Sequence, residues 1–114
     1  MIDGIGIDVV DIKRFQESLD RTPALAEKLF TANELQKPIQ GLAARFAAKE
    51  ALYKALSAEN SLQWHEAEVI SHENGKPDFL FRGKIADLVD GAKVHLSLSH
   101  DAGIASAMVI VERN

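Results

Sequence analysis

The sequence predicts an α+β fold in which a largely antiparallel sheet packs against one long helix. Three observations carry that prediction. The chain opens with a period-two apolar run, "IGIDVV", and closes with two more, "KVHLSLS" and "IASAMVIV", joined by "HDAG". Between these ends an alanine-rich stretch, placed at about 40–57, is apolar on nearly every side. Turn signals divide the remainder into short elements. Strands at both ends with helices gathered between them suit a sheet covered on one face by helices.

Each element has its own justification. Ile5, Ile7 and Val9 alternate with Gly6, Asp8 and Val10, which argues for a strand. Ile12, Phe15 and Leu19 then recur at helical spacing, with Asp11 as the N-cap. Thr22 and Pro23 read as a cap followed by proline at the first helical position. Thr31 and Glu34 have the spacing of a capping box. Pro38 and Gly41 interrupt before the long helix. After it, "AEVIS" and "DFLFR" are strands joined by the turn signal Asn74-Gly75. "GKIADLVDG" is a short helix with Ile85, Leu88 and Val89 inward and Gly91 as its stop. Val94, Leu96 and Leu98 face one way and His95, Ser97 and Ser99 the other, while "IASAMVIV" is apolar on both faces, as in a central strand. The order is βααα then ββαββ, expected as one domain over residues 1–114.

Composition narrows the function classes. The chain has 114 residues, 46% hydrophobic and 26% charged, with a formal charge of −4 and no cysteine. Disulfides and thiolate metal sites are excluded. Nucleic-acid binding through bulk basicity is not expected, although a local basic pocket remains open. No apolar run approaches the roughly 18 residues of a membrane span. The N-terminus carries acids where a signal peptide carries bases, so the expectation is a cytoplasmic protein.

"RFAAKEALYK" (45–54) poses the functional question. With Arg45 at zero and about 100° per residue, Lys49 falls at about 40°, inside a stripe of large apolar side chains. Alanines form a second apolar face, and Glu50 and Lys54 lie on the seam between the two. A helix apolar almost all round is buried, here on two sides. Glu50 and Lys54 could be no more than a favourable i,i+4 pair, and Lys49 could bury its stem and raise its ammonium to water. Alternatively the charges line a cleft for a metal ion and phosphates. Asp8 is disfavoured in a strand and is flanked by Gly6, which permits close approach. If the helix packs across that strand, Asp8 and Glu50 could share one Mg²⁺. Periodicity leaves both readings open.

"GIGIDVVDIKRF", "FTANE", "RFAAKEALYKAL", "NGKP" and "HLSLSHD" occur in that order. Together they resemble the holo-acyl-carrier-protein synthases, the short single-domain class of 4′-phosphopantetheinyl transferases, over about residues 4–112. The resemblance implies that fold and a homotrimer with active sites at subunit interfaces. It implies transfer of phosphopantetheine from coenzyme A to a serine of an apo acyl carrier protein in fatty-acid synthesis, releasing adenosine 3′,5′-bisphosphate. On this pattern Asp8 and Glu50 match the Mg²⁺ ligands and Lys54 the lysine that reaches the phosphates. Arg45, Lys49 and His100 match coenzyme A contacts, and Gly75, Lys76 and Pro77 the turn near the adenine. Arg14 and Phe15 lie on the helix that docks the carrier. Glu50 or a metal-held water could take the serine proton. The connection "LQKPIQGLAA" is shorter than the family's usual one by roughly eight residues, about two helical turns. His100 could instead cap its hairpin, Lys13 could be solvated charge, His65 and His72 read as surface residues, and Trp64 as core or interface. The alternatives to this enzyme are the same chemistry on a polyketide or peptide carrier, a non-catalytic coenzyme A module, or a structural oligomerising domain.

Overall fold

The computed structural model describes residues 1–57 and 63–114. Strand β1 (Ile2–Asp11) leads into helices α1 (Ile12–Arg21) and α2 (Ala24–Leu29). A single 3-10 turn, Glu34–Gln36, precedes the long helix α3 (Ile39–Leu56). The hairpin β2 (Ala67–Ser71) and β3 (Pro77–Phe81), the short helix α4 (Gly83–Leu88), and the hairpin β4 (Lys93–Asp101) and β5 (Ile104–Glu112) follow. The main sheet has the order β1-β5-β4, antiparallel throughout, with the doubly apolar β5 in the centre. β2 and β3 form a separate two-stranded sheet.

The caps explain where the helices begin. Asp11 accepts the backbone N–H of Arg14 at 3.0 Å, as its N-cap position requires. The capping box closes in both directions: Glu34 N–H donates to Thr31 Oγ1 at 3.3 Å, and Thr31 N–H to Glu34 Oε1 at 2.9 Å. The box opens only a 3-10 turn, because Pro38 restarts the chain as the N-cap residue of α3. Thr22 makes no side-chain cap; it closes α1, and Pro23 enters α2 without a capping bond. Leu88 also differs from expectation: it is 44% exposed while Ile85 and Val89 are buried, because α4 ends there after six residues.

Helix α3 is the hub of the core. Its alanines Ala43, Ala47, Ala48 and Ala51 are fully covered, and it lies across β1 and β5. A Cβ added at Gly4 or Gly6 would overlap the carbonyl oxygens of Ala55 and Ala51, respectively. Glycine is therefore what allows strand and helix backbones to touch here. On its other side α3 meets an aromatic cluster, with Phe46 stacked on Phe15 at 5.1 Å and Trp64 packed against both Phe46 and Tyr53. The expectation of a helix buried on two faces thus holds, and Trp64 is a packing residue.

Candidate active site

Close contact between α3 and β1 decides where Asp8 points. Gly6, Asp8 and Val10 form the helix-facing side of β1, and Ile5, Ile7 and Val9 the open side. Lys54, near the end of α3, reaches across: its ammonium lies 3.1 Å from Asp8 Oδ1 and donates to the Ile7 carbonyl at 2.9 Å. Asp8 is mostly covered, whereas Lys54 is about half exposed. Glu50 lies one turn earlier on the same helix and is half-buried. The structure therefore brings Asp8 and Lys54, 46 residues apart, into one place.

Lys49 goes elsewhere. Its ammonium is fully buried, 3.0 Å from Glu34 Oε1, and donates to the carbonyls of Trp64 (2.8 Å) and Ala67 (2.9 Å). These three partners match the three N–H groups of an ammonium. Burial pushes the Lys49 pKa down, and the Glu34 carboxylate beside it opposes that shift. Glu34 also accepts Val69 N–H at 2.9 Å. Both sequence readings of Lys49, the solvent-reaching ammonium and the coenzyme A contact, are corrected: it has neither exposure nor a spare donor for a phosphate. Its partner went unrecognised because the capping box already accounted for Glu34. Glu68 is also buried, but its partner Arg82, at 3.0 Å, is half exposed; Asn33 donates to Glu68 at 3.2 Å.

Arg45 and His100 share a third location. They line a cavity of ≈ 1230 Å³ between α1, the first turns of α3 and the β4–β5 turn, together with Lys13, Gln16 and Ser99. Arg45 is buried and donates to the Gly41 carbonyl at 3.3 Å, while its Nε has no partner among the described residues. Burial lowers its pKa, with Glu34 opposing. His100 is exposed at the end of β4. Gly75, Lys76 and Pro77 sit at the β2–β3 turn, where Gly75 has φ +85° and Asn74 accepts Lys76 N–H at 3.0 Å. None of the three lines the cavity.

On α1, Arg14 is exposed but Phe15 is not. The Phe15 ring stacks on Phe46 and meets Phe30 edge-on at 6.1 Å. Phe15 as a docking residue is corrected: it is a core aromatic, so of that pair only Arg14 offers itself to a partner. Both its spacing and the N-cap at Asp11 already placed it on the inner face of α1.

A divalent cation suits the Asp8 corner chemically, since it offers hard oxygen ligands and already accommodates a cationic ammonium. Among the described residues no three acidic or histidine side chains gather, so such an ion would need its remaining ligands from water or substrate. Among the same residues no helix is long and apolar enough to cross a membrane.

Comparison with known proteins bears on the family and the fold. Residues 4–106 match the family model of the 4′-phosphopantetheinyl transferase superfamily. The chain is 52% identical over 117 residues to the holo-[acyl-carrier-protein] synthase of Leifsonia xyli subsp. xyli, covering 100% of this chain and 99% of that one. That alignment leaves no room for eight inserted residues, so the short connection before α3 is shared with this relative. The acyl carrier protein synthase of Mycobacterium tuberculosis superposes with a TM-score of 0.85 at 34% identity, over 100% of both chains. The coenzyme A complex of the Chronobacterium ammoniagenes enzyme superposes at 0.86 with 28% identity, over 97% of each.

Proposed function

The chain belongs to the 4′-phosphopantetheinyl transferase superfamily, among its holo-[acyl-carrier-protein] synthases, and from that premise we propose a Mg²⁺-dependent reaction and a homotrimeric enzyme. Phosphopantetheine passes from coenzyme A to a serine of an apo acyl carrier protein. The serine oxygen attacks the phosphorus nearer the pantetheine, the pyrophosphate P–O bond breaks, and adenosine 3′,5′-bisphosphate leaves. The serine proton goes to a base, either Glu50 or a metal-held water. The observation that carries this reading is the Lys54–Asp8 contact, which joins the two most specific motifs of the sequence at one point.

Transfer of this kind rests mostly on positioning and on neutralising charge at phosphate oxygens. Lys54 supplies a mobile positive charge at the site, and the rigid α3–β1 seam fixes where that charge originates. Mg²⁺ held by Asp8 and Glu50 would polarise the pyrophosphate. Arg45 and His100 offer cation and hydrogen-bond donors to the rest of coenzyme A, and the β2–β3 turn, with Gly75, Lys76 and Pro77, is the proposed adenine contact. Arg14, with Lys13 and Arg21 exposed on the same helix, gives this acidic protein a basic approach for an acidic carrier.

Several sites in one chain become one site if copies assemble. The open face of the main sheet exposes Ile5, Ile7, Val9 and Met108 to between 41 and 64%. Such a face marks an interface, and the assembly proposed on it is the homotrimer with active sites between subunits. Light scattering reading a monomer at working concentration overturns this part. Residues 1–114 are taken as one transferase domain of the cytoplasm, serving fatty-acid synthesis. The deciding assay mixes the protein with coenzyme A, Mg²⁺ and apo acyl carrier protein and weighs the carrier intact. A phosphopantetheine mass gain is expected, and its absence with several carriers overturns the reaction. In the same assay Glu50→Gln abolishes the gain without unfolding the protein; full transfer by that variant overturns the metal assignment.

A further inference from the structure

Lys54 and Asp8 differ in freedom. The aspartate is on a strand, with its side chain only 18% exposed, under a helix held by the Gly4 and Gly6 contacts. The lysine side chain is 45% exposed and can leave toward solvent by rotating its stem. Its ammonium touches Asp8 Oδ1 and the Ile7 carbonyl, two oxygens that a small hard cation would also seek. An ammonium and a divalent ion on one partly covered carboxylate repel each other.

Resting on the reading of Asp8 as a metal ligand, we infer that Lys54 is a displaceable placeholder for the divalent cation. It neutralises Asp8 until the ion arrives. Its displacement then turns the ammonium toward the phosphates that the ion brings with it. Metal loading and phosphate binding are thereby coupled through one side chain. A simple clasp between helix and strand makes the opposite prediction: removing it loosens Asp8 and weakens metal binding.

The experiment measures Mn²⁺ binding to the whole protein without coenzyme A, from loss of the free-ion electron paramagnetic resonance signal. Wild type, Lys54→Met, Asp8→Asn and the double variant are compared after thermal melts establish that each is folded. Lys54→Met is expected to bind Mn²⁺ about fivefold more tightly, the worth of one partly exposed ion pair. The gain should disappear in an Asp8→Asn background, because through-space repulsion acts on any bound ion whereas competition at contact needs the Asp8 carboxylate. Equal or weaker binding by Lys54→Met, or the same gain in the Asp8→Asn background, overturns the placeholder. Failure of the metal reading looks different: binding indifferent to Asp8→Asn, or none by any protein even with coenzyme A, overturns that reading and the placeholder with it.

Discussion

Lys49 and Lys54 lie five residues apart on one helix and each meets an acid from a distant segment, yet they live in different physical regimes. Lys49 and Glu34 are fully buried, and every ammonium proton has an internal acceptor. Lys54 and Asp8 meet at almost the same distance, 3.1 Å against 3.0 Å, but water reaches the lysine. A buried pair that satisfies all its donors is fixed structure; a half-exposed one can exchange partners. Position on the helix separates them: Lys49 points into the large apolar stripe, and Lys54 toward its edge.

The sharpest way to break the comparison is to remove one lysine at a time. Lys49→Met leaves the Glu34 carboxylate buried without its counter-ion, which should cost about 3–5 kcal/mol of stability in urea unfolding. A cost below 1 kcal/mol would mean that the pair is not structural. Lys54→Met should change stability by no more than about 1 kcal/mol. It should nevertheless lower phosphopantetheine transfer by about a hundredfold, the usual worth of one charge donor at a reacting centre. Unchanged transfer would leave the two lysines equally structural.

Gly6→Ala acts on only one of the pairs. The new methyl would meet the Ala51 carbonyl and push α3 away from β1, at a cost of about 1–3 kcal/mol. The Lys54–Asp8 reach should lengthen and transfer should drop, while the Glu34–Lys49 contact, made on the other side of α3, is kept. A crystal structure of the variant checks both distances. The smallest effect concerns Tyr53, whose buried hydroxyl has no hydrogen-bond partner among the described residues. Tyr53→Phe should be close to neutral at pH 7, since no bond is lost. Burial, chiefly, with the charge of Glu50 next, pushes the Tyr53 phenol above its ordinary 10.0. The folded state therefore keeps this proton after the unfolded state has released it. Stability from this group is intact below pH 10.0 and falls as pH rises beyond it. Melts at pH 7 and 11 should show a smaller alkaline loss for Tyr53→Phe; equal losses would place the titrating group elsewhere.

Local rules made much of the fold legible. Period two marked β1, β4 and the central β5; Asp11 and the capping box lay where spacing put them; and the wheel buried α3 on two sides. Gly6 beside Asp8 announced the close approach that brings Lys54 into reach. What stayed hidden required knowing which residues meet. Nothing near Lys49 in the sequence names Glu34, which lies 15 positions earlier and already had a reason to be there. Phe15 presents the opposite conflict: its helical spacing says core, and the motif it belongs to says docking. Leu88 fits an inward stripe on a longer helix than α4 proves to be.

The seam at Gly4 and Gly6 has a thermal consequence. Side-chain joints loosen by degrees as rotamers open, but two backbones in contact have no rotamers between them. The gap between Asp8 and the helix carrying Lys54 is thus set like a gauge block, in steps of a methyl group. Warming should leave that gap unchanged until the whole fold melts.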